Sequence, residues 1–226
     1  MSETPDRLAK DLWRWTARHP EWHPGEFGRE VACFALETGG DTILIDPLLP
    51  PEAKPVLDLI EDILGDRLSI LITIPYHVRS SEEIYRRFEA HASTTIWGHP
   101  ACAKRLDDTS GFNEIDADTT ELPAGITAHR IGKPRRYETP LHIPSHEALA
   151  FGDAVAETDG RLVVWSTSKV DAKVERFHRE RFNPTLEPLL ELDFDRVLVT
   201  HGEPIEKDGK GALREALDSR PWYHHG

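Results

Sequence analysis

Three side chains in this sequence could do chemistry together, because each stands where a strand-like run ends beside a chain-breaking residue. His77 follows Pro75, Asp153 follows Gly152, and His201 precedes Gly202. Two imidazoles and one carboxylate can serve as the three protein ligands of a zinc hydrolase, leaving a fourth position for water. Arranged on one face, the same set suits iron(II). A metal held this way lowers the pKa of its water toward neutrality and supplies hydroxide. The residues also have plainer uses. His77 can bond a helix start, Asp153 can close a Gly-Asp turn, and His201 can be a loop histidine. Arg79, two residues beyond His77, is always charged and cannot ligate a metal. It can take a metal's place by binding a carboxylate or phosphate through its fork of N–H groups, or it can lie on the surface at a helix start, slightly opposed by the helix dipole.

The elements that must position these residues are legible from pattern. Ile70 to Ile74 is an apolar, β-branched run with the length of a buried strand. Pro75 ends it, having no N–H for a ladder. A short turn, Tyr76-His77-Val78-Arg79, leads to Ser80 and Glu83, spaced as a capping box, and to a helix whose apolar face is Ile84, Tyr85 and Phe88. The carboxyl end of a strand meeting a helix start is where layered α/β folds hold ligands. Tyr76 and Arg79 are therefore the candidate substrate-binding residues beside His77.

The rest of the chain reads as strands, then strand-helix alternation, then strands, then helix-strand-helix. Trp13 and Trp15 fall on one face of a strand that leads into an extended segment. Residues 31–37 and 42–45 form a hairpin about Gly39-Gly40-Asp41. Residues 54–64 follow the helical apolar spacing. A strand at 94–97 and a helix at 101–106 come next, and 107–118 is loop. Strands are expected at 126–131, 141–143, 148–151 and 162–165. Asn183-Pro184 signals a helix start, 196–200 a last buried strand, and Leu213, Ala216 and Leu217 a final helix. Two packed sheets with helices outside accommodate this order.

The 226 residues are read as one domain, 1–226, with residues 1–30 as an extension packed on it. A net charge of -13 excludes nucleic acid as a partner without a basic patch. The candidate patches, Arg86-Arg87 and Lys133 to Arg136, read as solvated faces. Cys33 and Cys102 make neither a disulfide framework nor a zinc knuckle. The N-terminus has no signal core, and no apolar run approaches the ~20 residues a membrane span needs. A soluble, cytoplasmic protein is expected, acting on a small-molecule substrate or holding an anionic ligand, with no nucleic acid and no membrane. GxSxG and GxxxxGK[ST] are both missing, against a nucleophile-elbow hydrolase or a P-loop protein. His19, His23, His178, His224 and His225 receive no role.

In order, four segments resemble the metallo-β-lactamase superfamily. Thr42 to Pro47 resembles its early strand ending in Asp. Residues 69–84 resemble the strand, turn and helix that carry its His-x-His-x-Asp-His motif. Ala148 to Asp153 resembles its Gly-Asp segment, and Val197 to Pro204 its closing strand and His-Gly. The resemblance covers about residues 30–217 and implies a four-layer αββα sandwich, an α/β (α+β) fold of two mixed sheets with helices outside. It also implies that His99 is structural. The motif departs from the family's pattern. It reads here Pro75-Tyr76-His77-Val78-Arg79-Ser80, so only its second histidine is kept. The histidine before the Gly-Asp segment has no counterpart. Lys133 falls near it, with His129, His142 and His146 offset.

The resemblance thus implies a reduced site. His77, Asp153 and His201 would hold at most one zinc, iron or manganese ion, which would attack an ester, thioester, amide or phosphoester through hydroxide. Asp46, His142 and His146 are the candidates to replace missing ligands. The alternative is a metal-free binding or regulatory protein on the same scaffold, with Arg79 as an anion anchor.

Overall fold

The structure, a computed structural model, describes residues 4–23 and 27–224. Pro24 of the Trp-, Pro- and His-rich stretch and His225 lie outside the described residues. The first sheet has seven strands in chain order: β1 (Asp6–Ala9), β2 (Leu12–Arg18), β3 (Glu30–Thr38), β4 (Asp41–Ile45), β5 (Arg67–Ile72), β6 (Ser93–Gly98) and β7 (Phe112–Glu114). It is antiparallel from β1 to β4 and parallel from β4 to β7. The switch follows from the connections. Gly39 and Gly40, with φ of 61° and 87°, turn the β3–β4 hairpin. Helices α1 (Lys54–Asp62) and α2 (Ser81–Phe88) then carry the chain back between parallel strands.

The second sheet has the order β13 (Arg196–Val199), β10 (Ala148–Phe151), β9 (Leu141–Ile143), β8 (Thr127–Ala128), with β10 and β13 parallel. A separate hairpin pairs β11 (Val155–Thr158) with β12 (Arg161–Val164). Helices α3 (Ala172–Phe177), α4 (Asn183–Leu186) and α5 (Gly209–Asp218) complete the chain.

The period-two alternation along each strand sorts the apolar residues into three cores. Cys33, Ala35, Leu44, Ile70 and Ile72 point outward, onto Val56 and Ile60 of α1 and Ile84 and Phe88 of α2. Their sequence neighbours Phe34, Leu36, Ile43, Ile45 and Leu71 point inward, against Leu141, Ile143, Ala148, Ala150 and Leu198 of the second sheet. On the far side Leu149, Phe151, Val197 and Val199 pack on Phe182, Leu186, Leu213 and Ala216. Helix, sheet, sheet, helix is the four-layer αββα sandwich, and both sheets are mixed or short antiparallel ladders with helices outside. Each fully buried Leu, Ile or Phe contributes about 1.5–3 kcal/mol, so a one-residue slip in any central strand would misplace residues on both faces.

Several expected elements differ in detail. Ser80 and Glu83 make no capping box. Ser80 Oγ instead accepts a hydrogen bond from Leu49 N at 3.0 Å, fastening the loop after β4 to the start of α2. The helix expected at 101–106 is a 3-10 turn, Pro100–Arg105, capped by the His99 imidazole, which accepts from Ala101 N. Only Thr127–Ala128 of the 126–131 stretch is strand, and β7 and β11 occupy segments read as loop or left unassigned. The helical segment expected to begin at Asn183 starts earlier. Asp171 caps α3 by accepting from Lys173 N and Val174 N, and the chain runs through a wide turn at His178–Phe182 into α4.

His201-Gly202 closes β13. Gly202 has φ of +95°, and a Cβ there would lie 2.4 Å from the Glu157 carbonyl oxygen. Glu157 N donates to His201 O at 2.9 Å and the Glu157 side chain accepts from Glu203 N at 2.7 Å. The glycine thus lets β11 press against the residue that presents His201. Gly202→Ala is expected to destabilise the fold by about 1–3 kcal/mol through the left-handed backbone and this collision. A urea unfolding midpoint equal to that of the parent protein would refute it.

Candidate functional site

The carboxyl ends of β4, β5, β10 and β13 converge, and they bring Asp46, His77, Asp153 and His201 together. Asp46 is 2% exposed and carries most of the local bonding. Its carboxylate accepts from Thr73 N at 2.8 Å, from the Thr73 hydroxyl, and faces His77 Nδ1 at 2.8 Å. A buried carboxylate is tolerated only when its oxygens are so paired. Its backbone oxygen accepts from Arg79 Nη1 at 2.9 Å. Asp46 and Arg79 both have left-handed backbones, with φ of 49° and 43°. Each costs on the order of 1–3 kcal/mol and persists because the surrounding bonds over-determine it.

Asp153 stands across from His77. Its Oδ1 lies 3.3 Å from His77 Nε2 and 3.6 Å from His201 Nε2, and its Oδ2 accepts from Arg135 Nη1 at 3.2 Å. Neither imidazole contact has hydrogen-bond geometry, so Oδ1 is a buried acceptor without a partner. Beneath it, Glu138 is 1% exposed and its two oxygens accept from Gly152 N and Asp153 N at 2.9 and 3.1 Å. Glu138 therefore fixes the turn that aims Asp153.

The charges follow from these contacts. Burial and Arg79 push the His77 pKa down, but Asp46 and Asp153 outweigh them and the net shift is upward. Burial alone would raise Asp153, yet His77, His201 and Arg135 hold it well below the usual carboxylate range. Burial lowers His201 despite the pull of Asp153. The two carboxylates thus pull His77 toward its protonated form, and Arg135 pairs with Asp153. Arg79 remains with no carboxylate at ion-pair distance among the described residues.

These groups floor a pocket of about 500 Å³ whose wall includes Trp22, Phe27, Trp165 and Tyr223, with Tyr76 at its mouth. Phe27 packs edge-on to Trp165 and lies 5.3 Å from the His201 ring. Four nitrogens of lining residues are buried without partners: Trp22 Nε1, Arg79 Nε, Arg135 Nε and His201 Nδ1. The indole and guanidinium nitrogens can only donate. The cavity accordingly offers donors and positive charge, with Glu21 as an exposed carboxylate on its wall.

Of the residues expected at the site, His77, Asp153, His201, Arg79 and Tyr76 all line this pocket. Asp46 reaches it through His77. His142 and His146 do not: His142 Nε2 contacts Asp193 O, and His146 Nε2 contacts Asp11 O. His19 and His224, given no role from sequence, are lining residues. Arg135 and Glu138 were not anticipated. Lys133-Pro134-Arg135-Arg136 reads as a solvated charge run, and Glu138 has no periodic neighbours to mark it as buried. The only available signal was an acidic residue placed between apolar-flanked Thr139-Pro140 and a basic run.

The metals implied by the resemblance meet a sparse donor set. Among the described residues, no group of three or more His, Cys, Asp or Glu side chains is arranged to hold a metal ion. Ligands must be deprotonated, whereas His77 is drawn toward its protonated form by two carboxylates. Asp153 is also committed to Arg135, and a second guanidinium stands at Arg79.

Burial raises the Glu138 carboxyl from 4.5 to about 7, with Arg135 opposing and Asp153 adding. A folded pKa above the unfolded one gives stability that is fully present below pH 4.5 and is lost as pH rises through 7. At 1.36 kcal/mol per unit the loss is on the order of 3 kcal/mol. Glu138→Gln cannot ionise. The unfolding free energy of the parent protein is therefore expected to fall relative to this variant between pH 4.5 and 8, measured by urea titration. A pH-independent difference would sink the assignment.

No protein-family profile and no curated protein matches the sequence. Solved structures do match. A metallo-β-lactamase from Pontibacter korlensis aligns with a TM-score of 0.65 and 14% identity, over 96% of this chain and 99% of that one. The mono-zinc form of the metallo-β-lactamase FIM-1 from Pseudomonas aeruginosa aligns at 0.63 and 11%, over 95% and 94%. The chemotaxis sensor ODP, solved as a peroxy diiron species, aligns at 0.60 and 15%, over 96% of each chain. At these identities the likeness is one of architecture, and it agrees with the layer order and strand ends described above: the chain has the metallo-β-lactamase fold.

Proposed function

We propose that this protein uses the metallo-β-lactamase scaffold to bind a small anionic molecule without a metal, as a binding or regulatory protein. One observation carries the reading. Arg79 lines the pocket as a half-buried cation that no carboxylate among the described residues neutralises, while the other charges on the pocket floor are paired. A carboxylate or phosphate at this point would accept from the guanidinium. The aromatic wall suits a ligand whose anionic end is attached to an apolar or ring-bearing body. The Asp46 carbonyl holds the guanidinium through Nη1, so an anion would take its remaining N–H groups.

Phenyl phosphate and benzoate are suitable probes, read by titration calorimetry or by the fluorescence of the tryptophans in the wall. Arg79→Gln is expected to weaken phenyl phosphate by roughly 10- to 100-fold, the about 1.5–3 kcal/mol of a hydrogen bond to a charged group. Chelator treatment is expected to leave the affinity unchanged. Binding that is indifferent to Arg79 would overturn the proposal.

A second reading rests on Asp153 Oδ1. It is buried, has no hydrogen bond, and faces two imidazole Nε2 atoms at 3.3 and 3.6 Å. Ligand atoms about 2.0–2.2 Å from a tetrahedral ion lie roughly this far from one another. This reading is a hydrolase of an ester, thioester, amide or phosphoester, with one zinc, iron or manganese ion on His77, Asp153 and His201. Elemental analysis of protein purified without chelators separates the two. About one such metal per chain, lost in His201→Ala, would establish the second reading and displace the first.

A further inference from the structure

A second cavity of about 710 Å³ adjoins the pocket and shares Tyr76, Arg135 and Thr167 with it. Its lining combines Lys104 and Arg105, from the end of the 3-10 turn, with Tyr137 and Arg135 from the loop before β9. Among the described residues no aspartate or glutamate lines it. The chain as a whole carries a net charge of -13, and of the three basic residues that line the groove Arg135 pairs with Asp153. Neither Lys104 nor Arg105, nor the adjacent Arg136, makes an ion pair among the described residues. Lys104 and Arg105 are separated in sequence from Arg135, and the fold places all three on one groove.

The groove also gathers exposed rings. Tyr76, at 65% exposure, and Tyr137, at 43%, are two of the three large hydrophobic side chains left exposed among the described residues. Each is backed by a cation. The Arg105 guanidinium carbon lies 3.9 Å from the Tyr76 ring centroid, and that of Arg136 lies 4.6 Å from the Tyr137 centroid. A cation over an aromatic face holds the ring in place and leaves both a planar surface and a positive charge at the groove.

We propose that this groove is a second anion subsite, continuous with the pocket, and that the ligand is an elongated molecule carrying two separated anionic groups and a planar ring. One anionic group sits at Arg79, the ring passes the Tyr76 and Tyr137 surfaces, and the second group, a phosphate in its best-fitting form, sits between Lys104 and Arg105. The assignment of the first group rests on the proposed function; the second stands on the groove itself. Nucleotide-like bisphosphates have this chemistry.

The test compares adenosine 3′,5′-bisphosphate with adenosine 5′-monophosphate by titration calorimetry, on the full chain. The bisphosphate is expected to bind at least tenfold more tightly. In the Lys104→Ala/Arg105→Ala double variant this ratio is expected to fall to about one, while phenyl phosphate binding stays within twofold of the parent protein, which also reports that the variant is folded. Equal affinity for the two nucleotides, or a ratio that survives the double variant, would overturn the subsite. Phenyl phosphate binding lost in Arg79→Gln together with a ratio insensitive to Lys104 and Arg105 would leave the pocket standing and remove the groove. Bisphosphate binding that needs Lys104 and Arg105 but ignores Arg79 would remove the pocket assignment and keep the groove.

Discussion

The site depends on the burial of one carboxylate. Asp46 lies at the end of β4, almost wholly removed from water, and an ionised group so placed is unaffordable unless donors surround it. Thr73, at the end of the neighbouring parallel strand, gives two donors from its backbone and hydroxyl, and His77 gives a third. The Asp46 backbone then holds Arg79 through its carbonyl. One residue therefore fixes the rotamer of the imidazole, the position of the guanidinium and the entry of the chain into α2. The strained backbones of Asp46 and Arg79 are maintained by the same set of bonds. Loss of any one donor would leave the others facing an unpaired buried charge, so the cluster behaves as a unit whose parts are not additive.

The sandwich supplies the second half of the site by symmetry of purpose rather than of sequence. β10 and β13 are parallel, so their carboxyl ends open on the same edge as those of β4 and β5. Asp153 and His201 arrive there from the second sheet and meet His77 from the first. The resulting floor is locally positive within a strongly acidic molecule. That contrast is tolerable because screening at physiological salt limits the reach of surface charge to about 8 Å, whereas Arg79 and Arg135 act inside the cavity, where screening is weak.

Much of this was legible in the chain. The alternation of Cys33 and Ala35 with Phe34 and Leu36, or of Leu149 and Phe151 with Ala148 and Ala150, marks strands buried on both faces, and each is buried on both faces. A polar residue beside a breaker at a strand end marked His77, Asp153 and His201, because a strand end is a place where local sequence and tertiary position coincide. Arg135 and Glu138 lacked any such local mark. Their partners lie 18 and 15 residues away, across a loop without period, and only the folded chain brings them under Asp153. The Ser80-Glu83 spacing misled for the converse reason: the local pattern was present, but a tertiary donor, Leu49 N, claimed the serine. Helix α3 was overlooked because its cap, Asp171, sits in a polar stretch, while the proline after Asn183 gave a louder signal inside the segment.

The substitution at Arg79 bears on what chemistry the floor can perform. A divalent ion brings two positive charges and also acts as a Lewis acid, lowering the pKa of a bound water to about 7. Arg79 and Arg135 bring the same charge in a form that donates hydrogen bonds and never accepts an electron pair. On the metal-free reading such a floor neutralises and orients a carboxylate or phosphate. His77, whose two nitrogens face Asp46 and Asp153, is poorly placed to serve as a base in compensation, since both carboxylates favour its protonated form. This balance of charge without a Lewis acid is what the metal-free anion-binding proposal rests on. The groove lined by Lys104 and Arg105 extends that preference along the surface, because it adds charge and planar rings but no group able to activate water.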